Sequence, residues 1–328
     1  MVDAAADVRA ARPARRWLFL AQLTIGALVL AIVWSRLRAD WARVDWSAVS
    51  FGSRSGLLGA AVLSAPAVLL AFAVLIETWR RVLTAWGGNL RWLDAAHIWF
   101  VSNLGRWIPG KVWQVGAMAA LAERAGISGI AATGASLVVN LVNLVAGGAV
   151  VVAASAGGSD VLASSGVGTR TVVVGVVVLL ATLAATPWMI PRAVSLAARA
   201  LGRGDTAVRV PASSLVVAFV GCSAGWLLYG IGFWALSSAL GARISMGPVA
   251  AIAVYAASYL FGYLMLFAPG GLVFREAMLV TTMTQLHLAG ATDAAVLAVL
   301  SRIWITIIEV VPGLLFLFRR PPAATPPR

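Results

Sequence analysis

Charged residues are scarce in this chain of 328 residues. They make up 11% of the sequence, whereas hydrophobic residues make up 61%. A soluble domain of this length carries about twice that charged fraction. Several apolar runs also reach the roughly 20 residues that a helix needs to cross a bilayer. The composition therefore excludes an ordinary soluble domain and predicts an all-α integral membrane protein with several spans.

Cysteine and histidine are almost absent. The single Cys222 cannot form an intrachain disulfide or a zinc cluster, and His97 and His287 are too far apart for the usual ligand spacing. The sequence contains no P-loop, HExxH or GxGxxG motif. We therefore expect this chain to have no metal, no cofactor and no catalytic residue, and not to drive transport with ATP.

Positive charge is abundant, but it is not arranged for nucleic acid. The net charge is +13, and the arginines lie between apolar runs rather than in a basic strip with interleaved aromatic residues. With the N-terminus inside, 14 arginines fall in cytoplasmic segments and 6 on the opposite side. This bias predicts cytoplasmic N- and C-termini in a multi-pass protein.

Six apolar runs predict full membrane spans: residues 17–34, 56–76, 129–154, 171–190, 212–240 and 293–318. A basic tail (1–16) precedes them, and a Pro-rich tail (319–328) follows. The Gly/Ser-rich linker at 155–170 divides the chain into two membrane repeats, 17–154 and 171–318. Loop residues from Pro191 to Pro211 separate the fourth and fifth spans.

Each repeat also holds an apolar unit that is broken by Pro-Gly. The first unit, 94–124, is broken at Pro109-Gly110, and the second, 248–288, at Pro269-Gly270-Gly271. Broken backbone survives in hydrocarbon only where it is buried in protein or lines a wet cavity. Paired interruptions of this kind point to a transport site near mid-membrane. We therefore predict two re-entrant helical hairpins, or eight spans if the hairpin arms cross fully.

The two halves share the order span, span, interrupted hairpin, Gly-x-Ser/Thr cap, span. Gly126-Ile-Ser128 and Gly290-Ala-Thr292 supply the two caps. Each half then has three full crossings. Because three is odd, the second half must be inverted relative to the first if both hairpins are re-entrant.

Polar residues within these apolar units are functional candidates by default. The predicted substrate-binding residues cluster at the two breaks: Asn103, Arg106, Pro109, Gly110, Lys111, Gln114, Pro269, Gly270, Gly271, Arg275 and Glu276. Lys111 is the only lysine. Two further residues of the last span, Arg302 and Glu309, lie seven apart on one helix face and are candidates for ion coupling.

These charges have a functional and a structural interpretation. Arginine and lysine suit a phosphate or carboxylate head group. Side chains adjacent on a helix point apart, so we expect Glu276 to pair with Arg106 across the hairpins rather than with Arg275. Glu309 is the candidate proton carrier. The alternative is that Arg106 with Glu276, and Arg302 with Glu309, are purely structural groups.

At these residues the chain resembles a known family. Asn103-x-Gly105-Arg106-x-x-Pro109-Gly110-Lys111, Ala125-Gly126-Ile127-Ser128 and Pro269-Gly270-Gly271-Leu272-x-x-Arg275-Glu276 are similar to motifs of the flippase-like membrane domain of lysylphosphatidylglycerol synthases. The family often has Gly-Val before the Arg-Glu pair, where this chain has Val273-Phe274. The resemblance implies a protein of the bacterial or archaeal cytoplasmic membrane related to lipid translocators. Because no aminoacyl-transferase domain is seen after the last span, we do not expect aminoacyl-lipid synthesis.

The sequence therefore favours a translocator that moves an anionic lipid or a lipid-linked sugar between leaflets. The expected partners are membrane lipids or lipid-linked glycans, with envelope-biosynthesis proteins as further candidates. Two alternatives stay open: a membrane-embedded enzyme or accessory subunit of glycolipid or polyprenyl-lipid metabolism, and a structural partner of an envelope complex. An enzyme needs a paired acid and base, and only Glu276 and Glu309 qualify.

Overall fold

The computed structural model describes residues 54–105, 112–159, 169–200, 210–264 and 273–319, with five isolated positions between residues 24 and 42. Every regular element within these residues is a helix. The nine α-helices are α1 (Arg54–Thr84), α2 (Trp92–Leu104), α3 (Val112–Arg124), α4 (Gly129–Ala154), α5 (Thr169–Ala200), α6 (Ala212–Ser237), α7 (Pro248–Leu264), α8 (Phe274–Gln285) and α9 (Ala291–Leu317).

Five helices in the described part of the chain are long and apolar enough to cross a membrane. They are α1, α4, α5, α6 and α9. The protein is thus a polytopic helical membrane protein, as its composition predicts. The first predicted span, 17–34, lies outside the described residues except for Thr24 and Ala31, which are helical.

Four helices are shorter, and they flank the two Pro-Gly segments. α2 and α3 have 13 residues each, α7 has 17 and α8 has 12. At 1.5 Å per residue they measure about 18–26 Å, less than the roughly 30 Å hydrocarbon core. α2 packs on α3, and α7 packs on α8. The Pro-Gly segments lie outside the described residues, so the re-entrant path and the inverted repeat stay predictions.

Helix α4 follows its predicted bounds because its first residue is capped. Ser128 is the N-cap, and its side chain accepts a hydrogen bond from the backbone nitrogen of Ala131. The corresponding prediction, that Gly290-Ala-Thr292 supplies a side-chain cap for α9, is wrong in detail. Its N-cap is Gly290, which has no side chain to cap with, and Thr292 already lies in the first helical turn.

The predicted loop after Pro191 is also wrong over its first ten residues. α5 runs from Thr169 to Ala200 and includes both Pro187 and Pro191. Each proline removes a backbone donor, but membrane helices tolerate proline where side chains bind nearby carbonyls. Thr186 Oγ1 donates to the carbonyl of Thr182 at 2.8 Å in this region. Similarly, a π-helical turn at Ser155–Ser159 extends α4 into the predicted linker.

Helices α1 and α6 pack closely along their length. A Cβ added at Gly221 would lie 3.0 Å from Thr78 Cβ, and one at Gly225 would lie 3.2 Å from a Leu75 methyl carbon. Since numbers fall along α1 as they rise along α6, the two helices are antiparallel. Small residues at such contacts let membrane helices approach each other without a hydrophobic driving force.

Helix α9 is the most buried of the spans. In its most apolar window 72% of the residues are buried inside the protein, against 11% for α5. α9 packs on α2 and α8, one arm of each hairpin unit. Polar residues of α9 are therefore placed between the two hairpin units rather than against lipid.

Candidate functional site

The second hairpin unit carries its charged residues into the interior. α8 begins at Phe274, so Arg275 and Glu276 lie in its first turn. α7 approaches closely at Gly262, where an added Cβ would lie 2.8 Å from Arg275 Cβ and 3.2 Å from its backbone nitrogen. The absence of a side chain at Gly262 is what allows Arg275 to be 3% exposed.

The residue before α8 has an unusual backbone. Val273 is the N-cap and has φ 72°, in the left-handed region. A β-branched residue there is a genuine outlier, because its Cβ crowds the backbone. Such strain persists only where surrounding contacts impose it, and it is concentrated at functional sites. Here the unusual backbone of Val273 comes directly before the turn that holds Arg275.

Arg275 is held by polar and aromatic partners. Its Nη2 donates to Ser301 Oγ on α9 at 3.1 Å. Its Cζ lies 5.3 Å from the ring centroid of Tyr255 and 5.9 Å from that of Tyr259, both on α7. Tyrosine faces attract a guanidinium through their quadrupole, and the effect is stronger away from water. Arg275 is thus fixed between α7, α8 and α9.

Glu276 joins two arginines through one oxygen. Arg275 Nη1 lies 3.4 Å from Glu276 Oε1, and Arg302 Nη1 of α9 lies 3.2 Å from the same atom. The expectation that adjacency would keep Arg275 and Glu276 apart is therefore wrong. The long guanidinium can bend back to its neighbour, because both side chains point toward the interior in this first turn.

The two coupling candidates both lie on the buried face of α9. Arg302 is 6% exposed and Glu309 is 1% exposed. Seven residues separate them, which is about 10 Å along the helix axis. Arg302 thus belongs to the cluster around Glu276, whereas Glu309 lies two turns farther along the same helix.

The first hairpin unit is joined by two amides. Gln114 Nε2 of α3 donates to Asn103 Oδ1 of α2 at 2.5 Å, and Asn103 is buried. The same end of α2 meets α9: a Cβ added at Gly313 would lie 2.7 Å from a Leu104 methyl carbon. Gly313 is one helical turn beyond Glu309. The end of the first hairpin arm therefore lies close to the second coupling candidate.

Two polar atoms of the cluster have further binding capacity. Arg275 Nε and Glu276 Oε2 are buried and have no hydrogen-bond partner among the described residues. Buried polar atoms in proteins nearly always have a partner, since leaving one unsatisfied costs about 1–3 kcal/mol. The cluster can therefore accept a polar or charged group that reaches it.

Seven of the predicted site residues lie outside the described residues: Arg106, Pro109, Gly110, Lys111, Pro269, Gly270 and Gly271. The predicted pairing of Arg106 with Glu276 is among these untested points. Six are described. Arg275 and Arg302 both contact Glu276, and Asn103 and Gln114 form a separate pair. Glu309 lies on α9, two turns beyond Arg302.

Comparison with known proteins agrees with the motifs. Residues 19–313 match the family model described as the lysylphosphatidylglycerol synthase TM region. The chain belongs to the lysylphosphatidylglycerol synthase transmembrane-region family. No curated protein matches the chain. The family assignment thus supports a lipid-related membrane protein, in agreement with the helical fold.

Sequence reasoning missed the aromatic partners of this family member. Tyr255 and Tyr259 stack on each other with ring centroids 6.1 Å apart, and both lie beside Arg275. A signal was present: three of the four tyrosines, Tyr255, Tyr259 and Tyr263, recur at four-residue spacing on one face of α7. Ser301 gave no such signal, because a lone serine in an apolar span is common.

Within the described residues, no group of three or more His, Cys, Asp or Glu side chains is placed to hold a metal ion. His97 is buried 6.2 Å from the Phe316 ring, in an edge-on packing contact. At the head of α8, the structure instead brings together two guanidinium groups and one shared carboxylate.

Proposed function

We propose that this protein moves an anionic lipid or a lipid-linked sugar between the two leaflets, with the head group bound at Arg275, Glu276 and Arg302. The observation that carries the proposal is the shared carboxylate of Glu276. Two buried guanidinium groups converge on one oxygen of this carboxylate, and Arg275 Nε has no hydrogen-bond partner among the described residues. A pair of guanidinium groups away from bulk water favours an anionic group such as a phosphate.

The position of the cluster supports a transport role. It forms where the first turn of a short helix, α8, meets the middle of the most buried span, α9. The N-terminal turn of a helix presents free N–H groups and the positive end of its dipole. Short helices whose N-termini point at an anionic group recur in transporters near mid-membrane.

The contacts between helices support two related halves. α1 packs on α6, and two further sets of contacts are equivalent when the halves are exchanged: α2 packs on α9 as α7 packs on α4, and α3 packs on α4 as α8 packs on α9. A transporter with two related halves can open alternately by moving one hairpin unit against the other half. On this proposal, a two-fold relation between the halves accounts for the charged residues at both breaks.

The proposal is tested in proteoliposomes with leaflet-resolved assays of fluorescent phosphatidylglycerol and of a polyprenyl-linked sugar. The wild type should accelerate exchange of at least one of them. Arg275→Gln should lower that rate by about tenfold, the effect of losing about 1.4 kcal/mol of binding. Arg243→Gln is the matched control, since Arg243 lies half-exposed beside Asp293. No acceleration by the wild type for either lipid would overturn the proposal.

A further inference from the structure

A second candidate binding site lies far from the Arg275 cluster. α1 and α6 enclose a groove of about 520 Å³. Its walls are mostly apolar, with Ala73, Val74 and Val217 among them, and Glu77 and Arg81 line it as well. An apolar channel with one charged end has the shape of an amphiphile rather than of a polar solute.

The groove opens toward lipid. Val216 and Val220 on its rim are 62% and 61% exposed, on a helix apolar enough to span the membrane. Its floor is the close contact of Thr78 with Gly221, where a side chain at 221 would collide with the threonine hydroxyl. The absence of a side chain at Gly221 thus lets the two helices meet at the floor of the groove.

Arg81 is held at this groove by Glu77. Its Nε lies 2.7 Å from Glu77 Oε1, one turn back along α1, and Arg80 Nε binds the other carboxylate oxygen at 2.8 Å. Two arginines thus share one glutamate, which leaves one positive charge in excess. The Nη groups of Arg81 have no hydrogen-bond partner in the part of the chain that the structure describes, so its planar fork can bind a phosphate.

This groove is distinct from the proposed translocation site. α1 meets α9 near its other end, where Trp304 Nε1 donates to the carbonyl of Ala61 at 3.3 Å. Twenty residues separate Ala61 from Arg81, which is about 30 Å along the helix. A lipid whose phosphate contacts Arg81 is therefore remote from Arg302 and does not occupy the head-group site.

We infer that the α1–α6 groove binds one anionic phospholipid of the surrounding bilayer, with an acyl chain along Ala73 and Val217 and the phosphate at Arg81. Charge complementarity selects the ligand, because a zwitterionic lipid adds a cation that the exposed guanidinium repels. Such a lipid fills the groove beside the close contact of Thr78 with Gly221. It serves as a structural ligand and is not transported.

The test uses the full-length protein in mixed detergent micelles, with phosphatidylglycerol or phosphatidylcholine as added probes. Thermal unfolding and native mass spectrometry report the binding. Phosphatidylglycerol should stabilise the wild type more than phosphatidylcholine does, and Arg81→Gln should weaken its binding by about tenfold. Val217→Trp, which fills the groove, should weaken binding of both lipids.

Two variants on α5 serve as matched controls. Arg192→Gln removes an exposed arginine, and Val178→Trp enlarges a side chain that is 56% exposed to lipid, both outside the groove. Neither should change phosphatidylglycerol binding.

Equal effects of the two lipids on the wild type, or an unchanged preference in Arg81→Gln, would overturn the inference. If Val217→Trp instead dissociates a dimer and leaves lipid binding intact, the groove is a protein interface. These outcomes are independent of lipid exchange in proteoliposomes, so either proposal can fail alone.

Discussion

Arg302 Nη1 on the last helix lies 3.2 Å from Glu276 Oε1 on the second hairpin unit. This ion pair connects a short helix to the most buried span, and it shares its acceptor oxygen with Arg275. A phosphate entering the cluster would compete with Glu276 for the same guanidinium groups. Head-group binding would then weaken the link between α8 and α9, which is how a ligand can shift a hairpin between two positions.

Glu276→Gln should destabilise the protein strongly. It leaves two buried guanidinium groups without their carboxylate, and breaking a buried pair in this way costs about 3–5 kcal/mol. The free energy of unfolding in mixed micelles measures the loss. Glu77→Gln is the control: it removes the carboxylate that Arg80 and the exposed Arg81 share, and it should cost less. Equal losses in the two variants would argue that the cluster is solvated.

Gly262→Ala should separate the arms of the second hairpin unit. The new Cβ would lie 2.8 Å from Arg275 Cβ, so α7 or α8 must shift. Overpacking of this kind costs about 1–3 kcal/mol. Gly175→Ala on α5 is the matched control, because no atom lies within 4 Å of the added carbon and alanine favours the helix. If Gly262→Ala is as stable as its control, the close approach is not needed.

The sequence alone could predict the bounds of those helices whose ends are marked by nearby residues. The bounds of α4 follow from the Ser128 cap and the apolar run behind it. The extent of α5 could not be predicted, since Pro191 is a strong helix-breaking signal in water, whereas a membrane helix tolerates proline and α5 continues to Ala200. Periodicity also placed Arg302 and Glu309 on one face, and both are buried there.

The cluster itself was beyond sequence reasoning. Which arginine binds Glu276 depends on how α8 packs on α9, and Arg302 is 26 residues away in sequence. The rule that adjacent helical residues diverge also failed at Arg275, because a long side chain in a first turn can bend back. Polarity in an apolar run identifies candidate residues, but it does not identify their partners.

Val273→Gly should stabilise the protein. Val273 has φ 72°, a conformation that costs an L-residue with a Cβ about 1–2 kcal/mol and that glycine adopts freely. The greater freedom of glycine in the unfolded chain offsets part of the gain, so we expect about 1 kcal/mol or less. Val273→Ala keeps the Cβ and should gain less than glycine does. A loss of stability with glycine would show that the valine side chain, rather than the backbone, sets the turn.

Glu309→Gln should flatten the pH dependence of transport. Glu309 is 1% exposed and lies two turns from Arg302, outside the Glu276 cluster, so a proton taken up there need not disrupt head-group binding. Glutamine keeps the shape of the side chain but cannot titrate. The measurement is lipid exchange against pH in proteoliposomes for the wild type and the variant, with Glu77→Gln as a control that should keep the wild-type profile. An unchanged profile in Glu309→Gln would remove this residue from coupling. Exchange would then be driven by the lipid gradient alone, with Glu309 buried for packing.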